Sequence, residues 1–436
     1  MSIFGAMNTA VSGLQAQSSA FTNISNNIAN SQSIGYKGVD TRFINYLTQS
    51  NATNNGPDSV VTNPKYTNTA QGAISQSTDP LALAISGNGF FAVSKARATP
   101  AATATPSFQG TQYYTRAGDF TLNKNGYLVN GSGGYLNGWA VDPTTGAANT
   151  AQLQPIRVQQ GSIPPVATSN VSLQAALPAS PTAGQPVSTQ VDVYDSLGTL
   201  HQLDLNWTQN AANDWTVGIS APDSNPSSLG SADVKFGNAS GNGVPAGTIG
   251  SLSGTSGGLT ATSYSSGGPA QLSFNADFGN GAQPITLDLG AFGGTSGLTQ
   301  YAGTSFNVLG TTQNGMPQGN FSNVAIDTNG NVAVNYSNGT SQTVAQVPLV
   351  NFRDADALQS QSGQMYTATG GSGQPAVDAV ASGGSGSLVT GATENSNVDI
   401  ATQFTKLIAA QEAYSANSKV ITTGNQLAQT TINMLP

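Results

Sequence analysis

The sequence predicts a mainly β protein with a terminal α-helical coiled coil, in which two β-rich domains of sandwich or barrel type are nested on an N- and C-terminal helix pair. Three observations support this prediction. Apolar residues recur in alternating steps of three and four at both ends of the chain. In the middle, Asn-Gly pairs separate short alternating runs. Continuous helical periodicity is absent between about residues 70 and 350.

The first segment, 1–30, is predicted to be a helix with one apolar seam. Polar Ser18 and Ser25 interrupt that seam at two heptad positions. Gly5 and Gly13 each weaken an isolated helix by about 1 kcal/mol relative to Ala, so the helix is expected to need a partner. Its other faces carry Asn, Gln, Ser and Thr rather than charge, which favours protein neighbours on several sides. The seam residues are Phe4, Met7, Val11, Leu14, Phe21 and Ile28.

The last segment, 396–436, is predicted to be the matching helix. Ser396 and Asp399 resemble a capping box, with Asp at the Glu position. We expect the two helices to meet as an antiparallel pair and to form an assembly seam between subunits. A helical hairpin that only stabilises the monomer is the alternative. The seam residues here are Ile400, Phe404, Leu407, Tyr414, Ile421, Ile432 and Leu435.

The middle of the chain is predicted to be strands and turns. Four Asn-Gly pairs predict hairpin turns, at 125–126, 137–138, 329–330 and 338–339. The composition of Asp195–Gly198, between the runs 191–194 and 200–207, also suits a tight turn. The charge-free stretch 236–276 is dense in Gly and Ser, a composition typical of flexible segments.

Composition indicates internal boundaries near 48–70 and 360–391. A family resemblance, carried by the segments 25–37, 84–130 and 394–399, implies extended linker segments at 31–70 and 362–395, and a β-rich middle domain formed by 71–152 with 301–361. The same resemblance implies that residues 153–300 are an inserted outer β domain. The terminal helices, 1–30 and 396–436, complete this division.

Composition excludes several function classes. The chain has no Cys and one His, which excludes disulfide scaffolds, Cys-ligated metal centres and His-cluster metal sites. Only 7% of its residues are charged and the net charge is −8, which argues against a nucleic-acid-binding face. No 18-residue apolar run is present, so no membrane insertion is expected. The first charged residue is Lys37, so the basic n-region of a secretory signal is missing; if the protein leaves the cell, we expect it to do so without a cleavable signal peptide.

No pattern in the sequence calls for an enzyme, and we predict no catalytic, cofactor-binding or metal site. His201 alternates with apolar neighbours in a predicted strand, and no Gly-x-Ser-x-Gly elbow marks a nucleophile for it. The Gly-x-Gly of 87–89 lacks the third fingerprint glycine and a following helix. Asp119 and Asp142 lie beside Gly or Pro, and Asp327 lies two residues before Asn329, positions where Asp typically caps turns.

Several segments together resemble the axial proteins of the bacterial flagellum, a family of rod, hook and hook-associated proteins. Near the N-terminus these are Leu14, the run 25–30 and Gly35-Tyr-Lys37, with Ser33 where the family usually has Thr. The other similar segments are 71–72, 84–91, 114–120, 125–130 and 394–399, with Gln411, Tyr414, Asn417 and Lys419. Within the family, Tyr194–Gly198 followed by His201, and Val347–Phe352, resemble hook proteins.

The resemblance implies a structural subunit of the flagellar hook that self-assembles into a curved helical tube. Such a tube acts as a flexible universal joint and transmits torque from motor to filament. Expected partners are other copies of the chain, flagellar rod proteins, the hook cap, hook-associated junction proteins and the flagellar type III export apparatus. The alternatives are a distal rod or junction protein of the same axis, or a β-solenoid surface adhesin or enzyme, although no repeat of fixed period is evident.

Overall fold

A computed structural model describes residues 3–50, 55–97, 106–143, 145–181 and 186–433 of the chain. Helices α1 (Ile3–Ala29) and α2 (Ile400–Asn433) lie at its two ends, and strands occupy most of the chain between them. The predicted fold class, mainly β with a terminal helix pair, is confirmed. The strands are β1 (Val39–Ser50), β2 (Asn55–Tyr66), β3 (Ile74–Gln76), β4 (Leu83–Ser86), β5 (Phe91–Ala96), β6 (Phe108–Thr115), β7 (Thr121–Leu122), β8 (Leu128–Val129), β9 (Gly134–Ala140), β10 (Gln154–Pro155), β11 (Asn170–Pro178), β12 (Val187–Tyr194), β13 (Leu200–Ala211), β14 (Asp214–Ser220), β15 (Ser228–Phe236), β16 (Ile249–Ser256), β17 (Thr260–Ala261), β18 (Pro269–Asp277), β19 (Ala282–Ala291), β20 (Leu298–Tyr301), β21 (Asn307–Gln313), β22 (Phe321–Ile326), β23 (Asn331–Tyr336), β24 (Ser341–Gln346), β25 (Leu349–Asn351), β26 (Gln359–Gln361), β27 (Met365–Thr367), β28 (Ala376–Asp378), β29 (Ser387–Thr390) and β30 (Ala392–Glu394).

The chain divides into two compact units. Unit 1 comprises residues 1–160, 323–335 and 341–436, and unit 2 comprises 161–322 and 336–340. The sequence predicts the insert at 153–300, whereas unit 2 begins later and ends later than this range. The strand pairing explains both differences. β10 pairs with β9 of unit 1, whereas β20 and β21 pair with β11 of unit 2.

Unit 2 is a β-sandwich. Its six-stranded sheet has the order β17-β18-β19-β11-β20, with β21 beside β11, and its five-stranded sheet runs in sequence order from β12 to β16. Alternate residues of both sheets enter one apolar core, as shown by β14, where buried residues alternate with half-buried ones. Trp207 and Trp215 are fully buried there. The Gly- and Ser-rich stretch that composition predicts as flexible contributes β16, β17 and part of β18 to these sheets.

The predicted turn Asp195–Gly198 is confirmed and holds the two sheets of the sandwich together at one end. One carboxylate oxygen of Asp195 accepts hydrogen bonds from the backbone N–H groups of Leu197 (2.9 Å) and Thr199 (2.7 Å). The other accepts from Nδ2 of Asn280 (2.8 Å), which lies in the loop between β18 and β19 of the opposite sheet. The 3%-exposed Asp195 therefore joins a turn of the five-stranded sheet to a turn of the six-stranded sheet.

His201 lies on β13 beside this turn. Its ring stacks on Phe278 with centroids 4.0 Å apart, its Nε2 faces Asp195 at 3.5 Å, and its Nδ1 faces Asp223 at 3.4 Å. Since both ring nitrogens face carboxylates, neither is placed to accept a proton from a serine hydroxyl. The histidine is part of the packing between the two sheets.

Unit 1 contains an eleven-stranded sheet with the order β22-β23-β24-β9-β5-β6-β27-β26; β8 and β10 also pair with β9, and β7 pairs with β8. Three of the four predicted Asn-Gly turns are present, and their glycines Gly126, Gly330 and Gly339 have φ near +80°. The prediction for Asn137-Gly138 is wrong, because both residues lie inside β9. A Cβ on Gly138 would come within 2.7 Å of Ile156 and of the Gln346 carbonyl, so here glycine permits a close backbone approach.

The segment 31–70, predicted as an extended linker, instead contains the long antiparallel hairpin of β1 and β2. Its register shifts at Tyr46/Leu47 and Leu47/Gln49, which breaks the strict alternation by which a strand is recognised in a sequence. Pro57 and Pro64 also lie within β2 and lower its strand signal.

We expect Asp195→Ala to destabilise unit 2 by about 1–3 kcal/mol, because buried N–H donors lose their acceptor. Burial alone would raise the pKa of Asp195, but hydrogen bonds from the N–H groups of Thr199 and Leu197, together with His201, hold this pKa below its ordinary value. A carboxyl with a lowered folded-state pKa stabilises the fold above the unfolded-state pKa, about 3.9, and the stabilisation is lost as the pH falls through the folded-state value. Urea unfolding at pH 7 and at pH 3, followed by tryptophan fluorescence, measures both effects.

The control is Asp192→Ala, which removes an exposed carboxylate from β12. If the two variants unfold at the same urea concentration at pH 7, the clamping role of Asp195 is excluded.

Candidate assembly surface

The two terminal helices pair antiparallel. Nδ2 of Asn27, near the end of α1, donates to Oε1 of Gln403 near the start of α2 (3.3 Å). Farther along, the rings of Phe21 and Tyr414 meet edge to face, with centroids 6.3 Å apart. At the other end of the contact Gly13 faces Asn417, and a Cβ on that glycine would come within 2.8 Å of the amide nitrogen.

The faces that meet in this pair carry mostly small residues. In α1 the buried positions are Ala10, Ala16, Ala20, Ile24 and Asn27. In α2 they are Gln403, Ala410 and Gly424. Small side chains let the helices approach closely, and the glycine that weakens an isolated α1 becomes a close-contact position.

Two predicted seam residues, Phe21 and Tyr414, meet across the pair, but none of the described seam residues is fully buried. Those that are half-buried are Met7, Leu14, Phe21, Ile28, Leu407 and Ile421. The others are exposed in a single subunit, from 41% for Val11 to 77% for Phe4, and these are Phe4, Val11, Ile400, Phe404, Tyr414 and Ile432. Leu435 lies outside the described residues. The helix pair therefore presents large apolar side chains outward.

The hairpin of β1 and β2 packs along α1 through side-chain amides and hydroxyls. Asn27 accepts from the N–H of Val39 (3.0 Å) and donates to its carbonyl (3.0 Å). Nδ2 of Asn23 donates to Oγ1 of Thr41 (2.8 Å). Near the other end of the helix, the hydroxyl of Ser12 accepts from the N–H of Val60 (3.1 Å). Several uncharged polar residues of α1 therefore contact this β-hairpin. These are residue types for which the sequence predicts protein neighbours.

Helix α2 begins at Ile400, and Asp399 is its N-cap. The Asp399 carboxylate accepts from the N–H of Thr402 (2.7 Å), and bonding to Thr402 holds the pKa of Asp399 below its ordinary value. The predicted start at Ser396 is therefore wrong. The Ser396 hydroxyl accepts from the N–H of Val398 (3.3 Å), which forms a local turn before the helix.

A buried ion cluster lies where both helices join the body of unit 1. Glu394 is fully buried; its Oε1 accepts from Nζ of Lys37 (2.5 Å) and from the N–H of Gly72 (2.8 Å), and its Oε2 accepts from Nη1 of Arg116 (3.0 Å). The Glu394 carbonyl also accepts from the N–H of Gly35 (2.7 Å). Burial lowers the pKa of Lys37 and nearby Arg116 adds to this, while Glu394 opposes it.

Arg116 extends the cluster into the strand-rich body. Its Nη2 donates to the carbonyl of Gly87 (2.8 Å), and its guanidinium lies 5.2 Å from the ring centre of Phe90. Lys37 also donates to the carbonyl of Ala70 (2.6 Å). The cluster therefore joins the exit of α1, two loops, the end of β6 and the approach to α2.

Sequence reasoning missed this cluster, although its members lie in the segments that carry the family resemblance. Each of five such segments supplies at least one of its contacts, namely 35–37, 71–72, 84–91, 114–120 and 394–399. One signal in the sequence could have indicated the cluster. Charged residues are scarce in this chain, with 12 basic and 20 acidic ones, yet Lys37, Arg116 and Glu394 each lie in a short Gly- or Asn-rich segment. Their proximity was not visible, since Lys37 and Glu394 are 357 positions apart.

Across the described part of the chain, no three His, Cys, Asp or Glu side chains are grouped so that they could hold a metal ion. Neither described helix is long and apolar enough to cross a membrane.

Models of three protein families match successive parts of the chain. They are described as the flagellar hook protein FlgE/F/G D1 domain, at residues 84–175, the flagellar basal body protein FlaE D2 domain, at 166–316, and the flagellar basal body rod FlgEFG protein C-terminal, at 389–434. The fold and these matches define a structural protein of the flagellar axis.

Full-length relatives narrow the class. Flagellar hook protein FlgE of Brucella abortus is 31% identical over 439 residues, and that of Rhizobium meliloti is 32% identical over 445, each match covering 100% of both chains. FlgE of Salmonella typhimurium is 30% identical over 452 residues, covering 98% of both chains. A crystal structure of Helicobacter pylori flagellar hook protein FlgE2 matches 72% of this chain and 98% of its own, with a TM-score of 0.49 and 15% identity.

The chain belongs to the flagellar hook protein family. It is a structural subunit of the flagellar hook, not an enzyme, and forms a polymer of itself within the flagellar axial structure.

We expect Glu394→Gln to destabilise unit 1 by about 3–5 kcal/mol, because it leaves Lys37 and Arg116 buried without a compensating charge. Denaturant unfolding followed by circular dichroism at 222 nm reports this loss. Asp40→Asn is a matched control, since it removes the partner of Lys406 in an ion pair that is about 40% exposed. We expect this control to lose about 1 kcal/mol or less. Equal losses in the two variants would contradict the role of the buried cluster.

Proposed function

We propose that the outward apolar residues of α1 and α2 are the surface by which copies of this chain stack into the hook. The observation that supports this is the exposure of Phe4, Phe404 and Ile432 in a subunit whose helices are already paired. Full burial of a large apolar side chain contributes about 1.5–3 kcal/mol. Several such residues per copy give the stacking a substantial driving force, provided that neighbouring copies cover them.

The terminal segments 1–30 and 396–436 would form the inner core of a tube. Unit 2 (161–322 with 336–340) and the strand-rich part of unit 1 would form outer layers of this tube. The rows of exposed apolar residues along the paired helices support this proposal, although unit 2 also exposes Leu197, Leu200 and Leu309. Both helices expose large apolar residues, whereas unit 2 buries its two tryptophans in a core of its own.

A curved tube of this kind would act as a flexible universal joint between motor and filament. Bending requires that contacts between subunits change on each turn while every subunit stays folded. Unit 2 meets the second requirement, because its sandwich core is complete within one chain. Contacts that involve polar surface without deep apolar anchors exchange at lower cost than an interdigitated seam.

The partners proposed beyond other copies are the flagellar rod proteins, the hook cap and the hook-associated junction proteins. The similarity to axial proteins supports these partners. We also propose export through the flagellar type III apparatus by a route that uses no cleavable signal peptide.

Phe404→Asp should abolish polymerisation while both units remain folded, because it places a charge at an outward apolar position of α2. Polymer is measured by sedimentation and electron microscopy, and folding by circular dichroism and tryptophan fluorescence. Leu309→Asp is the control, since it makes the same type of change at a 65%-exposed residue of β21 in unit 2. Normal tubes from Phe404→Asp would contradict the proposed assembly surface.

Export can be tested separately through the mass of the protein in assembled hooks. We expect the intact chain, 44.0 kDa, with the segment 1–30 retained. Inactivation of the flagellar export apparatus should keep the chain inside the cell. Recovery of a chain shortened at its N-terminus would exclude the proposed route.

A further inference from the structure

An apolar groove of about 510 Å³ lies among α1, α2 and the hairpin of β1 and β2. Its walls include Ala20 and Ile24 of α1, Ala409 and Ala410 of α2, and Phe43 of β1. Three of these five residues are alanines and Ile24 is only 7% exposed, so the groove has room for a bulky side chain from outside. Phe43 is itself 46% exposed.

The rim of this groove is basic. Lys406 is bound to Asp40, with Nζ and Oδ1 2.5 Å apart. Arg42 and Lys65 also line the groove, are exposed, and have no ion-pair partner among the described residues. Among the described residues, two cationic side chains beside an apolar groove therefore have no carboxylate within ion-pair distance.

The outward face of α2 has the complementary chemistry. Phe404, Ile408 and Glu412 follow one another at spacings of four, so they share one face of the helix. Phe404 is 50% and Ile408 60% exposed, and Glu412 is exposed as well. Glu412 is the only acidic residue within α2, α1 has none, and Glu412 has no ion-pair partner among the described residues.

We propose that this outward face of α2 in one copy docks in the groove of a second copy. Phe404 and Ile408 would cover the apolar walls, and Glu412 would meet Arg42 and Lys65. The inference rests on the proposed assembly function of the helices and names the surface that each copy offers to the next.

The two surfaces are different and lie on the same chain, so the contact is heterologous. A heterologous contact that does not close into a ring generates an open helical polymer, which is the assembly proposed above for this chain. Apolar burial would supply most of the affinity, while the charges would set the register and reject misaligned copies.

The test is a charge exchange. Glu412→Lys alone, and Arg42→Glu with Lys65→Glu, should each raise the critical concentration for polymerisation tenfold or more. Combining all three changes in one chain restores the opposite charges and should recover most of the assembly. Lys124→Glu, a reversal at an exposed turn of unit 1, should have no such effect. The proposed ion pairing is overturned if Glu412→Lys or the Arg42→Glu, Lys65→Glu double variant assembles normally. It is also overturned if the variant that combines all three changes does not recover assembly.

Crosslinking tests the contact independently of any loss of folding. The chain has no cysteine, so one engineered thiol per chain is unique. Polymers formed from a mixture of Glu412→Cys chains and Arg42→Cys chains should be joined by a short thiol-reactive crosslinker into pairs containing one of each. Replacing Arg42→Cys by Lys124→Cys should abolish these mixed pairs.

Polymer that forms from the cysteine variants without mixed crosslinks overturns the docking. This result is distinguishable from failure of the assembly surface itself, which would appear as normal tubes from Phe404→Asp.

Discussion

The ion cluster around Glu394 is the interaction on which the arrangement of unit 1 depends. Three charged side chains are at most 3% exposed, and two of them lie at the points where α1 leaves the body and α2 enters it. Removing such groups from water costs several kcal/mol per ion unless bonds to both carboxylate oxygens compensate. Here Lys37, Gly72 and Arg116 supply those bonds. We infer that the cluster specifies one way for the chain ends to meet, because an alternative docking would leave a buried charge without a partner.

With the chain ends fixed in this way, the helices divide their faces between two tasks. Small residues such as Ala10, Ala20 and Ala410 form the contact inside the subunit. Large ones such as Phe4 and Phe404 remain outside it. Had the large residues filled the intramolecular contact, the subunit would be more stable alone and would have less apolar surface left with which to assemble.

Much of the fold could be predicted from local patterns, and the failures have physical causes. Heptad spacing predicted both helices, and Asn-Gly pairs predicted three turns, because each depends on a few consecutive residues. The turn prediction at Asn137-Gly138 failed because the same dipeptide occurs where a hairpin turns and where a strand needs a glycine for close packing. The seam residues were found as an apolar stripe, but periodicity does not say whether a neighbouring helix or another copy covers it. Contacts such as Lys37 with Glu394 form between distant segments, and no local pattern encodes them.

Charge is also divided between the units. Unit 2 contains eight Asp and one Lys, so it carries −7 of the net charge of −8, while positive and negative charges nearly balance in unit 1. Copies of unit 2 therefore repel one another at short range, and the repulsion is screened over about 8–10 Å at physiological salt. Interdigitated apolar side chains hold two copies together at only one register. The weak repulsion between two like-charged surfaces, by contrast, changes little in energy when one surface slides along the other. A polymer with attraction confined to the helices and repulsion on unit 2 would keep its subunits stacked and let the sandwich domains move past each other.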